Sequence, residues 1–358
     1  MNRVLLVRLR EIGDVVFTTP AIRALRRRFP AAHLAYLVEP RAAPIVLRNP
    51  HLDEVIVAPR VRGARGLAAD LALGRSLRNR AFDLAIDFHG GPRASLLTWL
   101  SHARDRVGYE VVGRSWMYTT RVARPRTLRP RHSVENQWDL LRALGIPPPD
   151  RDRDGVEMPV DPVSADDVGR RLASAGVTGA HQLAVVHVSA GNPFRRWPLE
   201  HFIAVVTALA SETRQRVVVT SGPSEQEAAG RVVAGARAAL GVEAGARILS
   251  CGEFSLPELR ALLDRAALFI GGDSGPLHIA ATTAVGIVGL YGPTLPERSA
   301  PWRRASHPTI SVDAGPLPCR PCDQRACVPG DFRCLSWIPP ERVVEPALRW
   351  MGGAPRPA

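Results

Sequence analysis

The sequence predicts an α/β protein built from two doubly wound domains. Short aliphatic runs, each too short for a helix, alternate with longer stretches of helical periodicity through most of the 358 residues. One proline- and charge-rich stretch, "GIPPPDRDRDG" from Gly145 to Gly155, reads as a linker that interrupts the alternation, and the pattern then restarts. Strands separated by helices imply right-handed βαβ units, and hence parallel sheets covered by helices on both faces.

In the first half, "RVLLVRL" reads as a strand and "TPAIRALRRRFP" as the helix after it. "AHLAYLVE" and "DEVIVA" are the next strands, followed by a helix over about 64–80 and the strand "FDLAIDFHG". In the second half, "LAVVHVSAG" opens a new series: a helix from about Leu199 to Glu212, "RVVVTSG", a helix through "SEQEAAGRVVAGARAAL", and "RILSCG". The amphipathic helix "LPELRALLDRA" then leads into "FIGGDSG" and "TAVGIVGLYGP". The expected domains are 1–160 and 161–345, the second including cysteines at 319–334, with a flexible tail at 346–358.

A hydrophobic content of 46% suffices for two cores, and no run approaches the ~20 apolar residues of a membrane span. Arg8, Arg10 and Glu11 interrupt the aliphatic start "MNRVLLVRLREIGDVV", so it reads as a first strand of a cytoplasmic protein and not as a signal peptide. All 47 basic residues are arginine, for a net charge of +13. Residues 1–150 hold 25 arginines against 13 acids, and residues 151–358 hold 22 against 21. One basic and one balanced half are expected if the first domain meets a polyanion or an anionic membrane surface; a solvated arginine-rich face is the alternative.

Three strand-to-helix turns carry the candidate chemistry. In "LREIGDVVFTTPA", Gly13 permits a tight turn and Asp14 stands where the next helix begins. An acid there either caps the helix, for about 1 kcal/mol, or acts as a general base at the carboxyl end of the first strand. Position alone leaves both open. In "HVSAGNPFRRWP", the small residues Ser189, Ala190 and Gly191 precede Arg195 and Arg196, whose donor forks suit phosphate oxygens; an ordinary surface loop is the plainer reading. In "FIGGDSGPLHIAA", Gly271 and Gly272 leave the strand without side chains, Ser274 and Gly275 offer backbone N–H groups at a helix start, and His278 lies one turn inside. The spacing is neither a dinucleotide fingerprint nor a Walker loop, so a diphosphate is expected and hydride chemistry is not.

Taken together, these stretches resemble the ADP-heptose–lipopolysaccharide heptosyltransferases of glycosyltransferase family nine, from about Arg3 to Val344. "GDVVFTTPAIRALRRRFP" is similar to the family's opening Gly-Asp and Thr-Pro-Ala helix, and "FDLAIDFHGGPRASLLTWL" to its fourth-strand region. "FRRWP" resembles its Lys-x-Trp-Pro turn, and "GGDSGPLHIAATTAVGIVGLYGPT" its most diagnostic segment. The resemblance implies a GT-B architecture: two facing Rossmann-like domains with a cleft between them, acceptor on the first and nucleotide-sugar on the second. It implies inverting, metal-independent transfer of heptose from ADP-heptose to a lipopolysaccharide inner-core acceptor, peripherally at the inner face of the cytoplasmic membrane.

On matching positions, the resemblance makes Asp14 the base that deprotonates the acceptor hydroxyl. Arg195, where the family has lysine, neutralises the leaving diphosphate. Asp273 touches the sugar hydroxyls, Ser274 and Gly275 give their amides to phosphate, and His278 lines the donor pocket, to which the residues of the "HVSAGNPFRRWP" turn add Ser189 and Arg196 as donor contacts. Glu225 contacts the nucleoside, with Glu227 as the alternative alignment. Thr18, Arg93, Arg121 and Arg124 are the candidate acceptor contacts. The last two open the acid-free run "RVARPRTLRPRH", for which a solvated loop is the alternative. The chemistry is coherent: inversion needs a base opposite the leaving group, and a guanidinium with a helix N-terminus stabilises a departing diphosphate without Mg²⁺.

Cys251 stands alone, while Cys319, Cys322, Cys327 and Cys334 have a count and closeness compatible with structural zinc. Similar cysteines occur in part of the family, but only the first pair has the paired C-x2-C spacing, so free or redox-active thiols are the other expectation. No cofactor is required for catalysis. Rival readings are a same-fold glycosyltransferase with another nucleotide-sugar or acceptor, and a basic nucleic-acid-binding protein with a zinc-like cluster. Against the latter, aromatics are only 6% and the cysteines lie in the balanced half, so no nucleic-acid partner is expected.

Overall fold

The computed structural model describes residues 1–61, 63–123, 131–179, 181–188, 192–249 and 251–352. The chain divides into two compact units, Met1–Pro159 with Trp302–Arg304, and Val160–Pro301 with the chain from Ala305 on. The first unit holds β1 (Arg3–Val7), β2 (His33–Val38), β3 (Glu54–Val57), β4 (Leu84–Asp87), β5 (Asp105–Tyr109) and β6 (Thr120–Val122). They form one six-stranded sheet in the order β3-β2-β1-β4-β5-β6, parallel throughout. Val4 to Val7 and Leu34 to Val38 are wholly buried, which is why these runs are continuously apolar and do not alternate.

The second unit holds β7 (Leu183–His187), β8 (Arg216–Thr220), β9 (Ile248–Leu249), β10 (Leu268–Gly272), β11 (Gly286–Tyr291) and β12 (Thr309–Asp313). Their order, β12-β11-β10-β7-β8-β9, repeats that of the first sheet, again all parallel. Each sheet therefore starts in its middle, winds to one edge and returns to the other side of its first strand. The reversal lies between β1 and β4 in one unit and between β7 and β10 in the other. Connections leaving the carboxyl ends of such neighbours splay apart, and open α/β sheets bind ligands there.

Local signals set the helix ends. Ser255 and Glu258 form a reciprocal capping box on the helix Leu256–Asp264, and Asp161 accepts from Ser164 N–H to cap Pro162–Ser174. Among the described residues no helix is long and apolar enough to cross a membrane.

Three features differ from the sequence expectation. The stretch Gly145–Gly155, read as a linker, is folded into the first unit: Trp138 Nε1 donates to Pro147 O at 2.6 Å. Asp154 is completely buried and paired with Arg27 at 2.5 Å and Arg153 at 3.0 Å. Burial would raise its carboxyl, but the hydrogen bonds from Arg153, Asp150 N–H and Arg27 hold it below the usual range. Trp302, far along the chain, also belongs to the first unit, where its indole N–H donates to Asp154 O at 2.8 Å. Residues 346–351 are no flexible tail. The helix Glu341–Trp350 buries Pro346, Ala347 and Leu348, Met351 beyond it is also buried, and the Trp350 ring lies 3.0 Å from where a Cβ on Gly286 would stand.

Candidate functional site

Two polar constellations sit at the two reversal points, one within each unit. In the first, the turn after β1 runs into the short helix Ile12–Val16, with Asp14 in its first turn. Asp14 does not cap that helix: the N-cap is Glu11, without a side-chain cap bond, and the Asp14 carboxylate is instead ion-paired with Arg8. Its side chain stays 38% exposed, against 11% for that of Arg8, so the acid is held from behind and open in front. Arg8 Nη1 in turn donates to Phe88 O at 2.6 Å, tying the end of β1 to the end of β4.

Asp87 ends β4 beside this pair and is fully buried. It accepts from Tyr118 Oη at 2.6 Å and from the N–H groups of His89 and Gly90 at 2.8 and 2.9 Å. Burial pushes its carboxyl up, with the Tyr118 and backbone bonds working against that. Asp87 therefore shapes the turn after β4. Sequence reasoning passed over it, although an acid ending the apolar run "FDLAIDFHG" was a usable signal.

The predicted acceptor contacts fare unevenly. Thr18 is fully buried, and its hydroxyl is spent on Val15 O at 2.7 Å and Tyr36 Oη at 2.5 Å, so it holds the helix connection and does not meet an acceptor. Arg93 is likewise corrected: it lies across Asp70 at 2.8 Å and Glu39 at 2.8 Å and donates to Pro59 O at 2.6 Å. Two carboxylates cancel its charge, which leaves it a structural clamp. Arg121 is exposed on β6, and Arg124 lies outside the described residues.

In the second unit, Asn192 Oδ1 accepts from Phe194 N–H and starts the short turn Pro193–Arg195. This turn delivers Arg195 to the end of β10, where Nη1 donates to Asp273 O at 2.9 Å and to Asp273 Oδ2 at 3.2 Å. Gly272 eases the approach, since a Cβ there would stand a tight 3.3 Å from Arg195 O. The space over Gly271 is taken by the Phe269 ring. The two glycines thus admit protein atoms, where the sequence suggested a ligand.

Asp273 is only 3% exposed, and besides Arg195 it accepts from the Thr294 hydroxyl and faces His278 Nε2 at 3.4 Å. Burial would raise its carboxyl, but His278, Arg195 and Thr294 together hold it below the usual range. Arg195 and Thr294 share Oδ2, while the buried Oδ1 has no hydrogen-bond partner among the described residues. Beside it begins the helix Gly275–Ala280, N-capped by Ser274. Among the described residues the N–H groups of Ser274 and Gly275 have no acceptor. Arg196 reaches Glu225, which is 5% exposed, at 2.9 Å, while Glu227 is exposed on the next helix. Ser189 lies outside the described residues.

His187, unremarked in the sequence, ends β7 between Thr220 Oγ1 at 2.9 Å and the Phe269 ring. Burial lowers its pKa to about 4, with only the charge of Glu225 opposing. Between about pH 6.5 and 4 the unfolded chain takes up a proton that the folded one refuses, so stability falls as the pH is lowered through that window, by about 3 kcal/mol in all. Denaturant unfolding of the second unit at pH 7 and 4.5 measures this, and His187→Gln is expected to lose less on acidification than wild type. Equal losses would remove His187 as the cause.

The four clustered cysteines are free, partly buried thiols. Cys322 Sγ accepts from Gln324 N–H at 3.2 Å, and burial and the neighbouring cysteines raise the Cys334 thiol. Among the described residues no group of three or more His, Cys, Asp or Glu is arranged to hold a metal ion.

The sequence matches glycosyltransferase family 9 (heptosyltransferase) over residues 71–329. It is 29% identical over 322 residues to lipopolysaccharide heptosyltransferase 3 of Escherichia coli, covering 88% of this chain and 91% of that protein. The structure is similar to that of the glycosyl transferase family 9 protein from Veillonella parvula, with a TM-score of 0.83 at 24% identity over 98% and 97% of the two chains. It is also similar to E. coli heptosyltransferase WaaC with ADP, with a TM-score of 0.69 at 21% identity over 97% and 99% of the chains.

Proposed function

Because the chain belongs to glycosyltransferase family 9, and so is a glycosyltransferase of the heptosyltransferase family, we propose that it transfers heptose from ADP-heptose to a lipopolysaccharide inner-core acceptor with inversion. The observation that carries this is the Arg195–Asp273 pair at the reversal of the second sheet. Nη1 and Nε of Arg195 are engaged there, and among the described residues Nη2 has no acceptor. Arg195, with the free N–H groups of Ser274 and Gly275, supplies the positive charge a departing diphosphate needs. Asp273 and His278 hold that group in place, and Arg196 with Glu225 forms the nucleoside end.

Asp14 takes the proton of the acceptor hydroxyl as that oxygen attacks the anomeric carbon and the bond to the diphosphate breaks. Its exposed carboxylate and its anchor on Arg8 suit a positioned base. The arginine excess of the first unit favours an acceptor bearing phosphates and carboxylates at an anionic membrane surface.

Calorimetry with ADP and with ADP-heptose, without added metal, on wild type and Asp273→Ala is the test. Wild type is expected to bind both, and Asp273→Ala to bind about tenfold or more weakly because it frees Arg195. No binding of either by wild type would remove ADP-heptose as donor and direct the experiment to UDP- and GDP-sugars.

A further inference from the structure

The segment Cys319–Cys334 is nearly devoid of regular structure, yet it is fastened on several sides. Cys322 N–H donates to Pro293 O at 3.1 Å, and Arg320 donates to Thr294 O at 2.9 Å and to Asp313 Oδ2 at 3.1 Å. Leu335, just beyond it, fills the space over Gly292, where a Cβ would stand 2.5 Å from its Cγ. Four non-glycine residues among those described have positive φ, and two of them, Gln324 at 60° and Phe332 at 51°, lie here. Left-handed backbone at such residues persists only where the surroundings impose it.

Both side chains go to the same place. Gln324 Oε1 accepts from Asn192 Nδ2 at 2.7 Å and from Arg195 Nε at 2.9 Å, and the Phe332 ring meets that of Phe194 edge-on at 5.6 Å. The turn that carries Arg195 is thus gripped at its N-cap Asn192, at Phe194 and at the guanidinium itself. The Gln324 backbone is fixed in turn by its N–H bond to Cys322 Sγ.

We propose that Gln324 is a positioning residue for Arg195, and that the cysteine segment is the frame that presents it. The proposal rests on Arg195 meeting the donor diphosphate. Asp273 and Gln324 fix two of the guanidinium's donor groups and leave Nη2 for the anion, so the charge needs no reordering when the diphosphate binds. The amide does this without cancelling charge. A carboxylate in its place would give Arg195 a second acid beside Asp273 and neutralise the site.

Gln324→Gly tests this by separating stability from function. Glycine relieves the left-handed backbone, so the melting temperature should hold or rise while ADP affinity falls about five- to twentyfold. Gln324→Glu should weaken ADP at least as much. In an Arg195→Ala background, Gln324→Gly should cost less than about twofold more, because the group it positions is gone. ADP affinity within about twofold of wild type in Gln324→Gly, or a full loss persisting without Arg195, overturns the proposal. If Arg195→Ala weakens ADP but Gln324→Gly does not, only this proposal fails. If Arg195→Ala leaves ADP binding intact, the donor-site reading fails with it.

Discussion

Replacing Asp14 by asparagine is expected to lower the rate of heptose transfer by about 10²–10⁴-fold while ADP binding changes by less than about twofold. Asparagine has the shape of aspartate and still offers Arg8 an acceptor oxygen, so the short helix Ile12–Val16 should form as before. What it lacks is the capacity to take a proton. The loss therefore belongs in kcat, read as ADP release in the presence of acceptor, and not in donor affinity, which is built from residues of the other unit. Turnover near the wild-type rate would remove Asp14 from the chemistry and leave it as the partner of Arg8 alone.

Trp302→Ala is expected to destabilise the first unit by about 3–5 kcal/mol, the usual range for deleting a large buried aromatic. Trp302 is 2% exposed, meets the His132 ring at 4.7 Å with the planes tilted by 36° and lies beneath the Arg151 guanidinium at 4.5 Å. Its indole N–H is a donor to Asp154 O, whose side chain is already committed to Arg27 and Arg153. Removal opens a cavity and strips a donor from a buried carbonyl. Scanning calorimetry should show the transition of the first unit moved down, and an unmoved transition would mean that Trp302 is not part of that unit's core.

Local pattern sufficed wherever one segment carries its own physical reason. The burial of β7, β10 and all of β1 after Arg3 is written in their apolar runs, and Asp14, Arg195 and Asp273 stand out in the sequence because charge or glycine follows where such a run ends. Burial and long-range pairing have no such local trace. Thr18 and Arg93 stand at helix starts after the first and fourth strands as plausibly as Asp14 does, but one is covered by Tyr36 and the other is cancelled by Asp70 and Glu39.

By itself, then, the sequence determined two parallel sheets and the chain positions where charge emerges from them, since alternation and punctuation are properties of neighbouring residues. Only the tertiary structure decided which partner each of those charges meets. Arg195 is fixed by Gln324, 129 residues away, and Asp154 is reached by Trp302, 148 residues away. Which distant donor satisfies a given acceptor depends on how the whole chain packs, and no local spacing records it.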